Sequence, residues 1–203
     1  MNHLQDFEQL RNDYYSLRHG KGYNQETGII VSDPEVGVPG YGLVHLGRKQ
    51  VRDSITRAVD EGLLDDSVVI VSSDFLRARE SADIAHEVTH AMTPVQLTTK
   101  LRERFFGDLD GKGNVHYRDV WARDAVDSSH TDWGVESADA VQSRTTSMVV
   151  DLEQVYSGRT IILAGHGDSL QIGETGFQKI SPRLHRQLPP LQNAELRRLN
   201  LKV

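Results

Sequence analysis

The chain has 203 residues without a cysteine, 37% of them hydrophobic and 26% charged, and its formal net charge is −6. This length predicts one α/β domain spanning residues 1–203, because a chain of this size can bury a single sizeable core. The composition excludes disulfides, thiolate metal sites and cysteine nucleophiles, argues against nucleic-acid binding, and contains no apolar run near the roughly 18 residues of a membrane span.

The first fourteen residues are polar and carry both charge signs. They lack the basic region and the apolar region of a secretion signal. The absence of cysteine fits a reducing compartment, so we expect a cytoplasmic protein. Internal repeats, low-complexity tracts and linkers are absent from the sequence, which supports the one-domain prediction.

The hydrophobic pattern alternates strands with helices, which is typical of a mostly parallel sheet covered on both faces. The strand candidates are residues 13–18, 68–73, 95–98 and 160–165. A helix is predicted over 47–62, where Val51, Ile55 and Val59 are four residues apart and Gly62 would end it. We therefore expect an α/β fold, a three-layer α/β/α sandwich around a mostly parallel sheet.

A second long helix is predicted over residues 136–157, and Gly158 would end it. Its predicted buried stripe consists of Val141, Met148, Val149, Leu152, Val155 and Tyr156. The proline-containing segment 181–193 predicts a loop, and residues 194–201 predict a short strand at a sheet edge.

Two predicted strands end on a histidine next to glycine. The first strand ends at Arg18 and His19, and the fourth ends at His166, which lies between two glycines. Ligands of open α/β sheets bind beyond the carboxyl ends of the strands, and glycine lets a ligand approach the backbone closely. A single histidine after a strand is more often structural, so the other strand ends decide the interpretation.

The helix predicted after the second strand begins with two arginines, behind Ser72, Ser73 and Asp74, which are suited to cap it. At about 100° per residue, Arg77 lies near the small apolar face and Arg79 falls on the far side. That face consists of Ala78, Ala82, Ala85, Val88 and Met92. Arg77 is therefore the better candidate to reach the crevice at the strand ends.

Glu103 follows the third strand candidate and precedes Phe105, Phe106 and a glycine-rich loop. Aromatic neighbours would desolvate its carboxyl group, raise its pKa and favour the protonated form that a general acid needs. The alternative is a solvated surface glutamate, which is the commoner environment of this residue type.

Residues 86–90, HEVTH, match the zinc protease pattern in which two histidines one helical turn apart bind zinc. Three features disfavour this alternative. His86 and His90 are predicted on the polar helix face, Pro94 limits the helix, and the G-x-x-H continuation of metzincins is missing.

Residues 108–119 resemble a calcium-binding loop. Lys112 replaces an oxygen ligand, however, and Asp119 stands where a bidentate glutamate is normal. We therefore predict that no metal binds here.

Together these segments resemble the histidine phosphatase superfamily, also called the phosphoglycerate mutase-like family, over nearly the whole chain. LRHG at 17–20 resembles the nucleophile motif, and Asn24 resembles the asparagine that follows it. The matching segments in family order are 17–24, 43–50 (with Leu43, Gly47 and Gln50), 72–82, 101–111, 135–144, 164–170 and 193–196. Lys21 and Gly22 depart from the usual acidic and small hydroxyl residues, which bears on specificity.

The resemblance implies phosphoryl transfer with no metal and no cofactor. His19 would form a phosphohistidine, and Glu103 would protonate the leaving oxygen. Arg18, Arg77 and His166 would complete the catalytic set, and the implied phosphate-binding residues are Arg18, Asn24, Arg77, His166 and Gly167.

We expect hydrolysis of a phosphomonoester that is a small phosphorylated metabolite. A phosphoglycerate mutase is the main alternative, which we disfavour because the chain is short in the middle region where mutases usually carry an insertion. A protein that only binds a phosphorylated ligand is a more distant alternative. We expect no nucleic-acid or membrane partner and a monomer or homodimer.

Overall fold

The computed structural model describes residues 1–202 and contains one five-stranded sheet. Its strands are β1 (Asp13–Arg18), β2 (Val69–Ser73), β3 (Gln96–Thr98), β4 (Thr160–Gly165) and β5 (Leu196–Leu199). The spatial order is β3-β2-β4-β1-β5; the first four strands are parallel, and β5 runs antiparallel beside β1. The predicted strands and the predicted edge strand are thereby confirmed, with β2 and β3 each starting one residue late.

Seven α-helices surround this sheet. They are α1 (Tyr23–Thr27), α2 (Pro34–Gly37), α3 (His45–Asp60), α4 (Leu76–Thr89), α5 (Tyr117–Asp124), α6 (Ala138–Val155) and α7 (Gly167–Phe177). The predicted helices 47–62 and 136–157 correspond to α3 and α6. None of the helices within residues 1–202 is long and apolar enough to cross a bilayer.

Alternating strand residues fill two separate cores, one on each face of the sheet. Tyr15, Ile70 and Ile162 pack with residues of α3 and α4, such as Val51 and Ala85. The strand residues between them form the opposite core with α6 and α7. This second core contains Tyr14, Val69, Ile161, Leu163, Met148, Leu152, Leu170 and Phe177. Because neighbouring strand residues point to opposite faces, the three-layer α/β/α prediction is confirmed.

Helix α4 does not begin as expected from the cap residues. Its N-cap is Phe75, whose backbone is extended, so Ser73 and Asp74 lie outside the first turn. Ser73 Oγ accepts the Phe75 N–H at 3.2 Å, and Asp74 pairs with Arg102 at 2.6 Å. Met92 was expected on the apolar face and is 69% exposed, because α4 has already ended at Thr89.

Two further expectations are corrected. Val155, expected in the buried stripe of α6, is the last residue of the helix and is 70% exposed. The predicted loop 181–193 contains a 3-10 helix, Pro182–Gln187. Pro182 supplies a helical φ at its first position, and Ser181 Oγ accepts the N–H of Arg183.

Candidate active site

The carboxyl ends of β1 and β4 place two histidines side by side. Arg18 is in register with Gly165, and the His19 N–H donates to the Gly165 carbonyl at 3.0 Å. His166 directly follows the last residue of β4, and the centroids of the His19 and His166 rings are 5.2 Å apart. The sheet register, rather than any local sequence feature, sets this separation.

The His19 ring is buried and its two nitrogens have different partners. Nδ1 is 2.7 Å from the Gly20 carbonyl oxygen, which can only accept, so Nδ1 carries the proton. Nε2 accepts from Arg77 Nε at 3.2 Å. Burial, followed by the charges of Arg77 and Arg18, lowers the pKa of His19 well below its usual value. The ring is therefore a neutral imidazole with its lone pair on Nε2.

Arg77 lies in the first turn of α4 and is only 1% exposed. Its Nη2 donates to the Val31 carbonyl at 3.0 Å, and its Nη1 is buried without a hydrogen-bond partner. Arg79, two residues on, is half-buried and has no such contact with His19. The structure thus brings the arginine favoured by the helical-face argument next to His19.

Arg18 reaches the same place from the end of β1. Its Nη1 donates to the Leu191 carbonyl at 2.6 Å, and its Nε is buried without a partner. Gly167 packs against this guanidinium, because a Cβ there would lie 3.2 Å from Arg18 Nε. Among residues 1–202, neither Arg18 nor Arg77 forms an ion pair with a carboxylate.

His166 is fully buried at the N-terminus of α7. Its Nε2 is 3.0 Å from Ser73 Oγ, and its Nδ1 has no partner. Burial and the charge of Arg77 lower the pKa of His166 well below its usual value. Ser73 was predicted to cap α4; its position at the end of β2, next to β4, gives it this other contact instead.

Glu103 is 8% exposed, and its Oε1 accepts the backbone N–H groups of Arg104 and Ser169 at 3.0 and 3.2 Å. Burial, followed by the charge of Asp168, raises the pKa of this carboxyl from 4.5 to about 7. The direction agrees with the sequence prediction, although Phe105 is 39% exposed and does not enclose the group. The carboxyl can therefore both give and take a proton near neutral pH.

The remaining predicted phosphate-binding residues also border this region. Asn24 lies in α1, is buried, and has an Oδ1 without a hydrogen-bond partner. Gly167 is the first residue of α7, so its N–H has no acceptor within the helix. The positive end of the α7 dipole favours negative charge at this point.

The His19 loop is held by glycines and side-chain amides. A Cβ on Gly20 would lie 2.3 Å from the Gly47 carbonyl oxygen, so α3 approaches the loop too closely for any other residue. Gln50 Oε1 accepts the Lys21 N–H at 3.0 Å. The His19 carbonyl accepts from Asn193 Nδ2 at 3.1 Å and from the Ala194 N–H at 3.3 Å.

A cavity of about 510 Å³ opens over His19, Arg18 and Glu103. Its wall includes residues that the sequence did not single out, namely Gln25, Ile29, Asn114, Val115, Tyr117, Arg118, Trp121, Asp168, Gln171, Arg186, Pro190 and Leu191. Most of them lie in segments without a strand-end signal. Only Asp168 belongs to one of the segments that resemble the family, residues 164–170, which also contain His166.

The two metal-binding alternatives are not supported by geometry. His90 adopts a left-handed backbone at the end of α4, and in residues 1–202 no group of three or more His, Asp or Glu side chains is arranged to hold a metal. The Asp110 carboxylate of the calcium-like loop is occupied by Ser32 and Asp33, which donate to it.

Comparisons with known proteins give two kinds of relative. A phosphoglycerate mutase of the 2,3-bisphosphoglycerate-dependent type, from Bradyrhizobium diazoefficiens, is 28% identical over 176 residues, covering 82% of this chain and 81% of the mutase. A mycobacterial glucosyl-3-phosphoglycerate phosphatase structure has a TM-score of 0.76 at 23% identity, covering 92% of this chain and 90% of that one.

A phosphoserine phosphatase mutant from Entamoeba histolytica has a TM-score of 0.70 at 19% identity, covering 91% of this chain and 88% of that one. At such identities the structural matches show a shared fold. The family model of the histidine phosphatase superfamily, branch 1, matches residues 14–202. The chain therefore belongs to the histidine phosphatase superfamily.

Proposed function

We propose that the protein hydrolyses a small phosphorylated metabolite, a phosphomonoester, through a phosphohistidine at His19. The observation that carries this proposal is the pair of guanidinium groups around His19, fully buried Arg77 and half-buried Arg18, neither of which has a carboxylate partner. An uncompensated buried cation costs several kcal/mol, on the order of the penalty for desolvating an ion. A phosphate dianion entering the cavity would supply the missing charge.

Phosphate binding follows from the donors around this pair. Arg18 and Arg77 present planar forks that match two phosphate oxygens, and both have nitrogens free to donate. His166, Asn24 and the N–H of Gly167 add neutral donors. These groups neutralise the equatorial oxygens, so the reaction we propose needs no added metal.

The first half-reaction uses the two titratable groups in complementary states. His19 Nε2 attacks phosphorus, the N–P bond forms, and the P–O bond to the leaving group breaks. As phosphate enters, its oxygens replace Nε2 as the acceptor for Arg77, which frees the lone pair. Glu103, with a pKa of about 7, donates its proton to the leaving oxygen.

The second half-reaction reverses the role of the carboxyl group. Glu103, now ionised, takes a proton from water, whose oxygen attacks phosphorus while the N–P bond breaks. Inorganic phosphate leaves, and His19 returns to its neutral state with Nδ1 still hydrogen-bonded to Gly20. One carboxyl thus serves both steps because its pKa lies near neutral pH.

Water as the acceptor is favoured by the cavity rim, where Asn114, Val115, Arg118 and Pro190 are exposed. The second candidate is a mutase, favoured by the name of the 28% identical relative. That relative is about as long as this chain, since the alignment covers 82% of one and 81% of the other. Chain length therefore does not separate the two functions. We further propose a cytoplasmic location, on the composition alone.

The proposal is tested with p-nitrophenyl phosphate in the presence of a chelator, with rapid-quench ³²P labelling and mass mapping. We expect phosphate release without metal and label on His19. His19→Ala should lose at least about 10³-fold in kcat, whereas the exposed His90→Ala serves as the matched control. Label elsewhere, or full activity of His19→Ala, would reject the mechanism.

The same preparation distinguishes the other candidates. NMR of 3-phosphoglycerate with a bisphosphoglycerate primer should show phosphate release in excess of 2-phosphoglycerate formation. Isomerisation without net release would establish the mutase instead. Binding of phosphate without turnover of any phosphomonoester would indicate a ligand-binding protein.

A further inference from the structure

Arg186 lines the cavity and comes from a part of the chain far from Arg18 and Arg77. It lies in the 3-10 helix Pro182–Gln187, and its Cζ is 3.7 Å above the centroid of the Trp121 ring. Its Nη1 also donates to Gln171 Oε1. All three residues line the cavity. Stacking on an aromatic ring restricts the guanidinium to one plane and lowers the entropy lost on binding.

Both supports of Arg186 are themselves held in place. Gln171 Nε2 donates to the Leu188 carbonyl at 2.7 Å, which orients its Oε1 toward Arg186. Trp121 Nε1 donates to Asp168 Oδ1 at 2.7 Å, and its ring stacks on Tyr117 with centroids 5.5 Å apart. The guanidinium is therefore positioned by a built platform and not by a chance surface contact.

In the part of the chain that the structure describes, Arg186 has no carboxylate within ion-pair distance, and only the charge of Asp168 acts on it from farther away. Within the described residues 1–202 it forms no ion pair, whereas Arg123 and Arg197, also near the surface, pair with Asp132 and Glu174. The nearby Asp168 is already engaged by Trp121 and Arg104. Arg186 remains exposed, and partial desolvation lowers the pKa of its guanidinium.

We propose that Arg186 on its Trp121 platform binds a second anionic group of the substrate, so that the substrate is a phosphomonoester that also carries a carboxylate or a second phosphate. This inference rests on the proposed function, because it takes the first anionic group to be a phosphate bound beside His19. A planar guanidinium with donors free can hold either oxyanion in a bidentate manner. A neutral alcohol phosphate would leave this cation without a partner.

The charges of the cavity agree with such a substrate. Its lining contains Arg18, Arg118 and Arg186, against Glu103, whose pKa is about 7, and Asp168. The chain as a whole has a net charge of −6, so the cavity is locally cationic on an acidic protein. With Arg77 beside His19 and with Glu103 protonated, four guanidinium groups stand against the one carboxylate of Asp168. The excess of three positive charges is larger than the two negative charges of a phosphate dianion and provides for a further negative group.

The test compares matched substrate pairs on the full-length protein. ω-Carboxyalkyl phosphates of increasing chain length are measured against alkyl phosphates of the same length, and α,ω-bisphosphates form a second arm. We expect kcat/KM to be at least roughly tenfold higher for one acidic series, consistent with a charged hydrogen bond. The arm with the larger preference identifies carboxylate or phosphate as the second group.

Arg186→Gln should abolish this preference, measured as the ratio of the two kcat/KM values. Arg183→Gln, on the same 3-10 helix but bonded to the Ala125 carbonyl, should retain it. No preference in the wild-type protein, or a preference that survives Arg186→Gln, would overturn the inference. Loss of the preference in Arg118→Gln alone would assign the role to Arg118 and also overturn it.

Calorimetry with ω-carboxyalkyl phosphonates and alkylphosphonates repeats the comparison without turnover. If Arg186-dependent selectivity appears in binding but no phosphate ester is hydrolysed, the inference holds and the proposed hydrolysis fails. If esters are hydrolysed without regard to a second anion, the hydrolysis holds and the inference fails.

Discussion

Two arginines are buried to the same extent in this protein but in opposite electrostatic surroundings. Arg77 is 1% exposed and Arg104 is 0% exposed. Arg104 binds the Asp124 carboxylate with Nη1 and Nη2, at 2.6 and 2.8 Å. Arg77 contacts only neutral groups, and its Nη1 has no partner. The charge of Arg104 is therefore neutralised within the fold, whereas the charge of Arg77 remains available for the phosphate group that we propose.

The Arg104 cluster connects several elements. Its Nη1 is also 3.5 Å from Asp168 in α7, and its Nε donates to the Glu136 carbonyl at 2.6 Å. His130 Nε2 lies 2.9 Å from Asp124 in α5. Because Glu103 is the preceding residue, this cluster fixes the segment that carries the candidate general acid. Arg77 instead keeps an uncompensated charge beside His19, which is useful only if an anion binds there.

The largest expected difference between the two arginines is in catalysis. If the proposed function holds, Arg77→Met should lower kcat/KM for p-nitrophenyl phosphate by about 10³-fold or more, because it removes the cation that would stabilise the transferring phosphoryl group. Its free energy of unfolding should not fall, since an apolar side chain replaces a buried unpaired cation. Phosphate release and urea denaturation measure the two quantities, with Arg79→Met as control. A loss of several kcal/mol in Arg77→Met would break the comparison.

Arg104→Met should show the opposite balance. Asp124 and Asp168 would be left buried without their counter-charge, and the free energy of unfolding should fall by about 3–5 kcal/mol. Urea denaturation followed by circular dichroism measures this loss. Arg123→Met removes the exposed pair with Asp132 and should cost about 0–1 kcal/mol. Equal losses in the two variants would show that burial of the pair does not matter.

Ligand-induced stabilisation sharpens the comparison further. Inorganic phosphate at about 100 times its Kd should raise the free energy of unfolding by about 2.7 kcal/mol, because it binds only the folded site. The gain should disappear in Arg77→Met and remain in Arg79→Met. Thermal denaturation with and without phosphate detects it. An undiminished gain in Arg77→Met would place the anion elsewhere.

The smallest expected effect concerns the pH profile. The charge of Asp168 raises the pKa of Glu103, so hydrolysis of alkyl phosphates, which need a protonated acid, should decline as pH rises through about 7. Asp168→Asn removes that charge, lowers the pKa, and should move the midpoint to lower pH by about half a unit to one unit. Asp139→Asn, at the same position of α6, should not move it. A shift to higher pH would contradict the assignment of Glu103.

The elements that form the site were predictable because strand ends and helix starts leave local signals. Arg18, His19 and His166 follow buried strands, and parallel strands align their carboxyl ends. The helical period correctly favoured Arg77 over Arg79. These inferences depend on hydrophobic periodicity, which a short stretch of sequence shows, and on the general rule that parallel strands align their carboxyl ends.

The cavity wall was not predictable, because its contacts join distant segments. Trp121 and Arg186 are far apart in the chain, and nothing near either residue indicates that they stack. Arg104 belongs to a charged stretch that is typical of an exposed segment, and its buried ion pair with Asp124 forms only through the tertiary fold. Ser73 is of a residue type that often caps helices, yet its position at the end of β2 places its hydroxyl group next to His166.

Residues 191–194 support Arg18 and the His19 loop through hydrogen bonds. Leu191 accepts from Arg18, and Asn193 and Ala194 donate to the His19 carbonyl. The residues that these side-chain contacts join are 173 and 174 positions apart in the sequence. Closing a loop of that length is entropically costly, so we expect the His19 loop to become ordered late in folding, after the strands have paired.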